Sequence, residues 1–402
     1  MTTALYITRN GLLEPLGQSQ VMAYLRGLAR DYRIILVTRE KAEDWANTTA
    51  VADARAECAA LGIEWRPRPF RPRPRFLGPA RDIISMTFEA LRAVRTEAVA
   101  LVHARSYIPA IVSWVVWRVT GTPFIFDTRA LWPEELITAG RVRRGSLPHR
   151  AILWAEQVCL RDAAVVVSLT HAAVDYLEML EPELRDRGRV EVIPTCTDLS
   201  RFTPAVGPRS KTRVYACIGS VLTGWFRADW LAAWFAGVAE EDPTATFEIV
   251  SRDDPAEVRV MVDPGGRLGK RLSVYSRPPR DMPGTVRAHA VSAMFYAGGQ
   301  TSELGRSPTR LGEVLGCGIP VVANRGVGDV ASILNEHRVG VVLEHSDADN
   351  VRQALQDLKA LLEDPDLSAR CRAASVQLFS LETGTEAYRR LYRRLLNGKA
   401  SS

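Results

Sequence analysis

Hydroxyl, cationic and carboxylate side chains follow one another at helical spacing in the segment SPTRLGE. Ser307 is predicted to be a helix N-cap and Pro308 the first helical residue, where the missing amide proton is no loss. Arg310 lies in the first turn, where a cation opposes the helix dipole unless an anion binds there. Such an anion would contact the free amides, the guanidinium and the hydroxyls of Ser307 and Thr309. The spacing therefore predicts a phosphate site at the start of this helix.

Glu313 extends the predicted site by one helical turn. It lies on the same helical face as Thr309 and Arg310. A carboxylate about 5 Å from a bound phosphate suits the two hydroxyls of a ribose, so the pattern describes a nucleoside diphosphate. The alternative is a capped surface helix in which Glu313 pairs with Arg310 or Arg306, as charges three residues apart often do. The residues alone leave both interpretations open.

A second loop that could approach a phosphate follows the first apolar run of the chain. Gly17 has no side chain to block close approach, and Gln18 comes next. A helix is predicted from about Ser19 to Asp31, and its first amides would face the phosphate. An ordinary turn is the alternative, because glycine commonly precedes a helix.

Four polar side chains are predicted to meet at one sheet edge. His103 and Arg105 follow one predicted strand, whereas Asp127 and Arg129 end another. His103 could transfer a proton or hold a sugar hydroxyl, although a histidine after an apolar run is more often a structural hydrogen-bonding group. Asp127 is a candidate for contact with a sugar or an acceptor. Glu135 comes next along the chain.

Alternating strand and helix patterns would position these groups. Short apolar runs such as LYIT, IILVT and PFIFD predict a parallel sheet with crossover helices, and the pattern restarts at VYACIG. The predicted fold class is α/β, with two doubly wound, Rossmann-like domains whose ligands bind at the carboxyl ends of the strands, in a cleft between the domains. The predicted boundaries are 1–205, 206–380 and a C-terminal helix at 381–402. A coiled-coil or partner-binding helix is the alternative for that last segment.

Length and composition agree with two globular domains. The chain has 402 residues, of which 47% are hydrophobic and 24% charged. We expect no transmembrane helix, since no apolar run approaches ~18 residues, and no signal peptide precedes the first strand. The six cysteines show no CxxC pair, which favours reduced thiols in a cytoplasm. We expect no metal site, because Asp253 and Asp254 lack a third ligand and fit a turn.

The net charge of +6 owes much to the segment RPRPFRPRPRF, residues 66–76. Its prolines forbid a helix and favour an extended loop. Its arginines (Arg66, Arg68, Arg71, Arg73 and Arg75) could contact acidic lipid headgroups at the inner face of a membrane, or a phosphorylated acceptor. A solvated loop is the alternative. Nucleic-acid binding is not expected, because the chain lacks a zinc finger, an aromatic RNA-binding signature and a basic helix.

Five segments, in order along the chain, resemble glycosyltransferase family 4, whose members have the GT-B fold. The donor-binding pattern of a common branch is matched at Ser307, Pro308, Thr309, Leu311, Glu313, Gly318, Pro320, Val321 and Val322, with Arg310 in place of Lys. The other segments resemble the glycine loop, two parts of the acceptor domain and the interdomain linker, and they are EPLGQSQV, HARSYIPA, FDTRALWPEE and VIPTCTDLSRFTP.

The resemblance implies a retaining glycosyltransferase that moves a sugar from a nucleoside-diphosphate sugar to a small-molecule or lipid-linked acceptor. The first domain would bind the acceptor and the second the nucleotide sugar, and the C-terminal helix would cross back onto the first domain. Neither a cofactor nor a metal would be needed. Catalysis would consist mainly of stabilising the departing diphosphate, with no protein nucleophile.

Three departures from the family pattern affect the predicted site. Gly305 stands where the wider family has a glutamate, so Glu303 would serve only if the loop is two residues longer. Gly219 and Ser220 align with a Gly-Arg pair, and Trp225 aligns with a lysine. The diphosphate would then depend on the remaining arginines, Arg306 and Arg310. Asp127 stands where many relatives have a histidine.

The predicted site residues fall into three groups. The catalytic group is Arg310, Glu313, His103 and Asp127. The donor-binding group is Gly17, Gln18, Gly219, Ser220, Glu303, Arg306, Ser307, Pro308 and Thr309. The acceptor-binding group is Arg105, Arg129 and Glu135. A sugar-nucleotide epimerase of the same fold and a catalytically silent nucleotide-sugar-binding protein remain alternatives.

Overall fold

The computed structural model describes residues 1–70, 77–205 and 213–397, without the side chains of 77–79. The chain forms two compact units. Unit 1 comprises Met1–Pro194 and Leu381–Ser402, and unit 2 comprises Thr195–Ser380. Both are α/β units built on a parallel sheet, so this part of the predicted fold class is confirmed.

The division between the units lies before residue 195, so the predicted boundary after residue 205 is wrong. The segment 195–205 belongs to unit 2 because side chains of that unit hold its backbone. Arg372 donates hydrogen bonds to the carbonyl oxygens of Leu199 and Phe202. Both apolar side chains lie in a core cluster of unit 2.

The sheet of unit 1 has seven strands in the order β3-β2-β1-β4-β5-β6-β7. Its central strands are buried on both faces, as expected for a parallel sheet covered by helices. The order reverses between β1 and β4, where doubly wound sheets bind their ligands. The strands are β1 Thr3–Thr8, β2 Arg33–Glu40, β3 Glu64–Pro69, β4 Val99–Arg105, β5 Phe124–Asp127, β6 Val165–Ser168 and β7 Val190–Val192.

Within the described residues of unit 1, ten helices connect these strands. They are α1 Pro15–Gly17, α2 Ala23–Leu28, α3 Ala42–Trp45, α4 Thr48–Ala60, α5 Leu77–Thr96, α6 Tyr107–Thr120, α7 Trp132–Thr138, α8 Leu147–Asp162, α9 His171–Leu180 and α10 Glu183–Asp186. A π-helical turn, Gln18–Met22, joins α1 to α2. The first helical segment therefore begins at Pro15 and not near Ser19 as predicted, because Pro15 fits the first helical position.

The last helix of the chain, Leu381–Asn397, belongs to unit 1 and packs against α2 and β4. Tyr388, Leu391 and Tyr392 form its buried stripe. The packing against α2 is close: a Cβ atom added at Gly27 would lie 2.3 Å from Cγ2 of Thr385. Only glycine at this position lets the two helices approach.

The basic proline-rich segment begins as an edge strand. Residues 66–69 fall on β3, which pairs with β2, so the predicted extended loop is wrong for this half. Prolines are tolerated there because an edge strand has one unpaired side. Arg66 pairs with Glu64 and Glu97. The arginines at 71, 73 and 75 lie outside the described residues.

The sheet of unit 2 has six strands in the order β10-β9-β8-β11-β12-β13, and the order reverses between β8 and β11. The strands are β8 Val214–Ile218, β9 Thr246–Val250, β10 Leu272–Tyr275, β11 Val291–Met294, β12 Val321–Asn324 and β13 Gly340–Leu343. The helices are α11 Ala228–Glu241, α12 Pro255–Val262, α13 Met282–Arg287, α14 Thr301–Leu304, α15 Thr309–Gly316, α16 Val330–His337, α17 Ala348–Leu362 and α18 Leu367–Phe379.

Helix α15 is anchored on one side of this sheet. Its apolar residues Leu311, Val314 and Leu315 are buried in the core cluster that also contains Phe379 of α18. A Cβ atom at Gly312 would lie 2.8 Å from Cβ of Phe379. This close packing fixes the position of the helix N-terminus. Among the described helices of both units, none combines the length and hydropathy that crossing a bilayer requires.

Candidate functional site

The N-terminus of α15 is the first candidate site in unit 2. The helix begins at Thr309, and Pro308 is its N-cap with an extended backbone. The predicted N-cap role of Ser307 is therefore wrong: its Oγ accepts a hydrogen bond from the backbone amide of Thr195 over 3.1 Å. Pro308 has no side-chain oxygen that could cap the first turn. The amide of Leu311 donates to the carbonyl oxygen of Pro308, whereas the amides of Thr309 and Arg310 at the start of the helix remain available to an anion.

Arg310 and Glu313 form an ion pair on this helix. The arginine side chain is 37% exposed and the glutamate side chain 12% exposed. Burial raises the pKa of Glu313, and Arg310 opposes that shift. The structure thus contains the pairing that the sequence left as an alternative. For a ribose to bind Glu313, the guanidinium of Arg310 would have to turn away from the carboxylate. The N-terminus of α15 lies one helical turn from Glu313.

A second arginine is held beside this helix by a buried carboxylate and two aromatic rings. Nη2 of Arg306 donates to Oε1 of Glu303 over 2.9 Å. The guanidinium lies 5.2 Å from the ring centre of Trp225 and 5.6 Å from that of Tyr296. Arg310 is also close enough to act on the Tyr296 hydroxyl through its charge. Trp225, which aligns with the family's lysine, therefore contacts a cation from another part of the unit.

Glycine turns set the backbone around Glu303, and the sequence analysis did not assign them a role. Gly299 and Gly326 both have positive φ, and a Cβ atom at Gly326 would lie 2.6 Å from the amide nitrogen of Gly299. The amide of Gly328 donates to the carbonyl oxygen of Glu303 over 2.8 Å. The dipeptide Gly298-Gly299 and the motif GVGD were the sequence signals for this close approach.

Gly219 and Ser220 form a turn at the carboxyl end of β8, where the strand order of unit 2 reverses. Gly219 has a φ of 122°, which favours glycine. The carboxylate of Asp253 accepts hydrogen bonds from Ser220 Oγ and from the amide of Val221, the latter at 2.7 Å. Asp254 caps α12. Within the ranges that the structure describes, no group of three or more His, Cys, Asp or Glu side chains could hold a metal ion.

The glycine loop of unit 1 is held mainly by its own groups. Glu40 accepts hydrogen bonds from the amides of Leu12 and Leu13, at 2.8 and 3.2 Å. Gln18 Nε2 donates to the carbonyl oxygen of Leu12 over 2.9 Å. A Cβ atom at Gly17 would lie 2.1 Å from the carbonyl oxygen of Gly11, so glycine is required for the turn itself. The sequence analysis missed Glu40, since its partners lie 27 and 28 positions away.

His103 and Asp127 lie in a buried network with two tyrosines of the C-terminal helix. Nδ1 of His103 is 2.9 Å from the Tyr392 hydroxyl, and Tyr388 donates to Oδ2 of Asp127 over 2.9 Å. Nε2 of His103 is 3.5 Å from the same Oδ2 atom. Burial lowers the pKa of His103, although Asp127 opposes the shift. Through these contacts both side chains anchor the C-terminal helix.

The two predicted arginines of unit 1 lie at the same sheet edge as this network. Nη1 of Arg129 is 3.6 Å from Oδ1 of Asp127. Burial alone would raise the pKa of Asp127, but Arg129, His103 and Arg105 outweigh burial and lower it to about 2. Arg105 is buried at the carboxyl end of β4. The structure thus brings all four polar residues together, as the strand pattern predicted.

Glu135 is half-buried on α7. Its neighbour Glu134 is the buried residue of the pair and accepts hydrogen bonds from Arg144 and Tyr176, at 2.6 and 3.2 Å. Sequence analysis named Glu135 as the end of the segment FDTRALWPEE, which resembles part of the acceptor domain. Glu134 and Glu135 differ in burial, which residue type does not predict.

Comparison with known proteins shows a family similarity in the first unit. Residues 17–196 match the family model described as the glycosyl transferase 4-like domain. The resemblance predicted from the sequence is thereby confirmed. The chain is also 24% identical over 298 residues to the D-inositol 3-phosphate glycosyltransferase of Salinispora arenicola, a match that covers 66% of this chain and 63% of the relative.

Solved structures of glycosyltransferases share the fold of the whole chain. HepE of Anabaena, solved with UDP and glucose, is 15% identical, with a TM-score of 0.68 over 98% of this chain and 99% of that one. A glycosyltransferase of Rickettsia africae is 14% identical, with a TM-score of 0.71 over 98% of each chain. Sucrose-phosphate synthase of Thermosynechococcus elongatus is 16% identical, with a TM-score of 0.69 over 99% and 100%. The chain therefore has the GT-B fold.

Proposed function

We propose that this chain is a glycosyltransferase that moves a sugar from a nucleoside-diphosphate sugar to an acceptor. The observation that carries the proposal is the uncapped N-terminus of α15 with Arg306 and Arg310 beside it. The glycosyl transferase 4-like domain at residues 17–196 supports the reaction type. The fold shared with HepE, which was solved with UDP, supports a nucleotide sugar as donor.

Unit 2 binds the donor in this proposal. The amides and hydroxyl of the first turn of α15 and the guanidinium of Arg310 contact the diphosphate, while Glu313 contacts the ribose. Donor binding exchanges the carboxylate partner of Arg310 for phosphate oxygens. Arg306, held over Trp225, supplies the second positive charge. Two arginines thus replace the Arg and Lys of the family pattern.

Catalysis rests on stabilising the leaving group. Negative charge develops on the diphosphate as the glycosidic bond breaks, and the helix dipole and the guanidiniums of Arg306 and Arg310 stabilise that charge. The acceptor attacks from the face that the diphosphate leaves, so the anomeric configuration is retained. No cofactor takes part, and the cationic side chains perform the electrostatic function that a divalent metal has in other transferases.

Unit 1 binds the acceptor, which is a small molecule or a lipid-linked sugar. Peripheral contact with an anionic membrane is part of this proposal. Ile84 and Phe88 on α5 are 69% and 76% exposed. Arg68 of β3 and Arg92 of α5 lie in the same groove as Phe88. Apolar side chains beside arginines are the pattern that binds acidic headgroups.

The experiment begins with thermal denaturation of the full chain in the presence of UDP, GDP, ADP and TDP, because specific binding raises the melting temperature. The sugar nucleotide of the base that binds is then incubated with candidate acceptors, and nucleotide release and product are followed. Stabilisation together with transfer supports the proposal. Stabilisation without transfer or hydrolysis would identify a silent nucleotide-sugar-binding protein, whereas isomerisation without an acceptor would identify an epimerase.

A further inference from the structure

Arg105 is a buried cation with two nitrogen atoms that have no hydrogen-bond partner in the described part of the chain. The residue is 3% exposed, and its Nε and Nη1 atoms are enclosed. Among residues 1–70, 77–205 and 213–397 neither atom has a hydrogen-bond partner, and no carboxylate lies within ion-pairing distance of the guanidinium. A buried charge is strongly destabilising unless it is paired. The side chain is therefore costly in the ligand-free protein and would gain a partner if an anion bound.

The neighbouring charges leave this region positive. Arg129 shares the single nearby carboxylate, Asp127, which also accepts the hydrogen bond of Tyr388. Burial raises the pKa of the neighbouring hydroxyls of Tyr6 and Tyr388, so both are neutral at neutral pH. Burial lowers the pKa of His103, so its imidazole adds no positive charge and supplies no negative one. Two guanidiniums thus face one carboxylate. The missing negative charge is what a bound anion would supply.

Arg105 lies at the edge of the sheet where doubly wound folds bind ligands. Arg105 pairs in register with Thr8, at the carboxyl ends of β4 and β1. These are the two strands between which the sheet order reverses, where doubly wound sheets bind ligands. Ser106 and Arg129 at this edge have φ values of 77° and 61°, unusual for residues other than glycine. Such strain is concentrated at functional sites.

The helical segment that contacts Arg129 is irregular. Nη2 of Arg129 lies 3.4 Å from Oε1 of Gln20, which belongs to the π-helical turn Gln18–Met22. Such turns inside helices are frequently found at functional sites. A purely structural arginine would be expected to bond the tyrosines or the carboxylate beside it, yet Arg105 bonds neither Tyr388 nor Asp127 in the described structure.

We propose that Arg105, with Arg129 beside it, binds an oxyanion group of a substrate at the carboxyl edge between β1 and β4. This rests on the proposed function for the identity of the substrate. The oxyanion is a phosphate or carboxylate of the acceptor, or it is the diphosphate of the donor. The first source makes the acceptor an anionic molecule, and the second makes Arg105 a donor-binding residue.

The test measures binding of inorganic phosphate to the full chain by thermal denaturation at constant ionic strength. The variants are Arg105→Met and the matched control Arg118→Met, which changes an exposed arginine on α6 of the same unit. Wild type and the control should be stabilised by phosphate, and Arg105→Met should bind phosphate at least tenfold more weakly. The Met variant without phosphate should melt above wild type, since a buried unpaired charge is removed. If Arg105→Met does not fold, Arg105→Lys replaces it, and its loss of phosphate affinity must exceed that of Arg118→Lys.

Two further measurements identify the source of the oxyanion. An acceptor source predicts that Arg105→Met binds UDP as wild type does and that UDP and phosphate stabilise wild type additively. A donor source predicts weaker UDP binding in Arg105→Met and displacement of phosphate by UDP. Equal phosphate affinity in wild type and Arg105→Met, or no phosphate binding by wild type, would overturn the inference. Failure to find sugar transfer would refute the proposed function and leave these binding results unchanged.

Discussion

The hydroxyl group of Tyr388 donates a hydrogen bond to Oδ2 of Asp127 over 2.9 Å, although the two residues are 261 positions apart in the chain. Both groups are buried. The bond therefore ties the C-terminal helix to the end of β5 within unit 1. We expect Tyr388→Phe to reduce the free energy of unfolding by ~1–3 kcal/mol, because the carboxylate loses a buried donor.

The control for this prediction is Tyr32→Phe. Tyr32 also packs against the C-terminal helix, with its ring centre 5.1 Å from that of Tyr392. No hydrogen bond of its hydroxyl occurs within the described ranges. Chemical denaturation of both variants gives the comparison. Equal losses would show that the Tyr388 hydroxyl contributes nothing beyond the packing of its ring.

Acid should weaken unit 1 through Asp127. Its pKa in the folded protein is about 2, lower than in an unfolded chain. Its contribution to stability is therefore fully present above pH ~4 and is lost as the pH falls toward ~2. We expect the free energy of unfolding of wild type to fall more steeply than that of Asp127→Asn over this window. Parallel pH profiles would contradict the role of this carboxylate.

Side-chain partners that are distant in the chain explain where the sequence analysis succeeded and where it failed. The strand pattern placed Arg105 and Asp127 at one sheet edge, because the carboxyl ends of parallel strands meet there. The N-cap assignment of Ser307 failed because the amide of Thr195, 112 positions away, occupies its hydroxyl. Local spacing cannot reveal such a competitor. The tyrosine partners of His103 were hidden for the same reason.

The pairing of Arg310 with Glu313 shows a further limit of the sequence. Spacing of three residues predicts both an ion pair and a shared ligand site, and the ligand-free chain shows the ion pair. Whether Arg310 pairs with Glu313 or with a bound phosphate depends on the difference in free energy between these two contacts. That difference depends on burial, and neither side chain is fully exposed. Residue types alone therefore do not predict this free-energy difference.

Substitution of Arg310 or of Glu313 should distinguish the diphosphate contact from the ribose contact. Arg310→Ala should lower kcat/KM for the donor tenfold or more, because a charge-assisted contact contributes ~1.5–3 kcal/mol. Glu313→Gln should weaken UDP binding but leave or improve binding of inorganic pyrophosphate, since Arg310 loses its competing carboxylate. Calorimetric titration of both ligands provides the measurement. The control is Arg352→Ala, which breaks the ion pair with Asp349 on the surface of the same unit. Equal losses of both ligands in Glu313→Gln would refute the ribose contact.

Membrane contact should depend on the exposed apolar residues of α5. We expect the chain to sediment with anionic liposomes at low salt and to detach as salt is raised, because headgroup contacts are screened. Replacing Ile84 and Phe88 together by Asp should abolish sedimentation. The matched control replaces Val260 and Met261, an exposed apolar pair on α12 of unit 2, in the same way. Absence of binding at low salt would favour a soluble acceptor.

Transfer should continue in excess EDTA and give a product with retained anomeric configuration. A departing diphosphate carries charge that must be neutralised, and metal-dependent transferases use a cation held by closely spaced carboxylates. No such cluster occurs among the described residues, whereas the N-terminus of α15 has two arginines beside it, Arg306 and Arg310. The helix dipole and the guanidiniums can stabilise the same charge. The reaction is run from an α-linked donor, and the anomeric coupling of the product is read by proton NMR. Turnover that EDTA abolishes and magnesium or manganese restores would refute the metal-free mechanism, and a β-linked product would refute retention while leaving the fold unaffected.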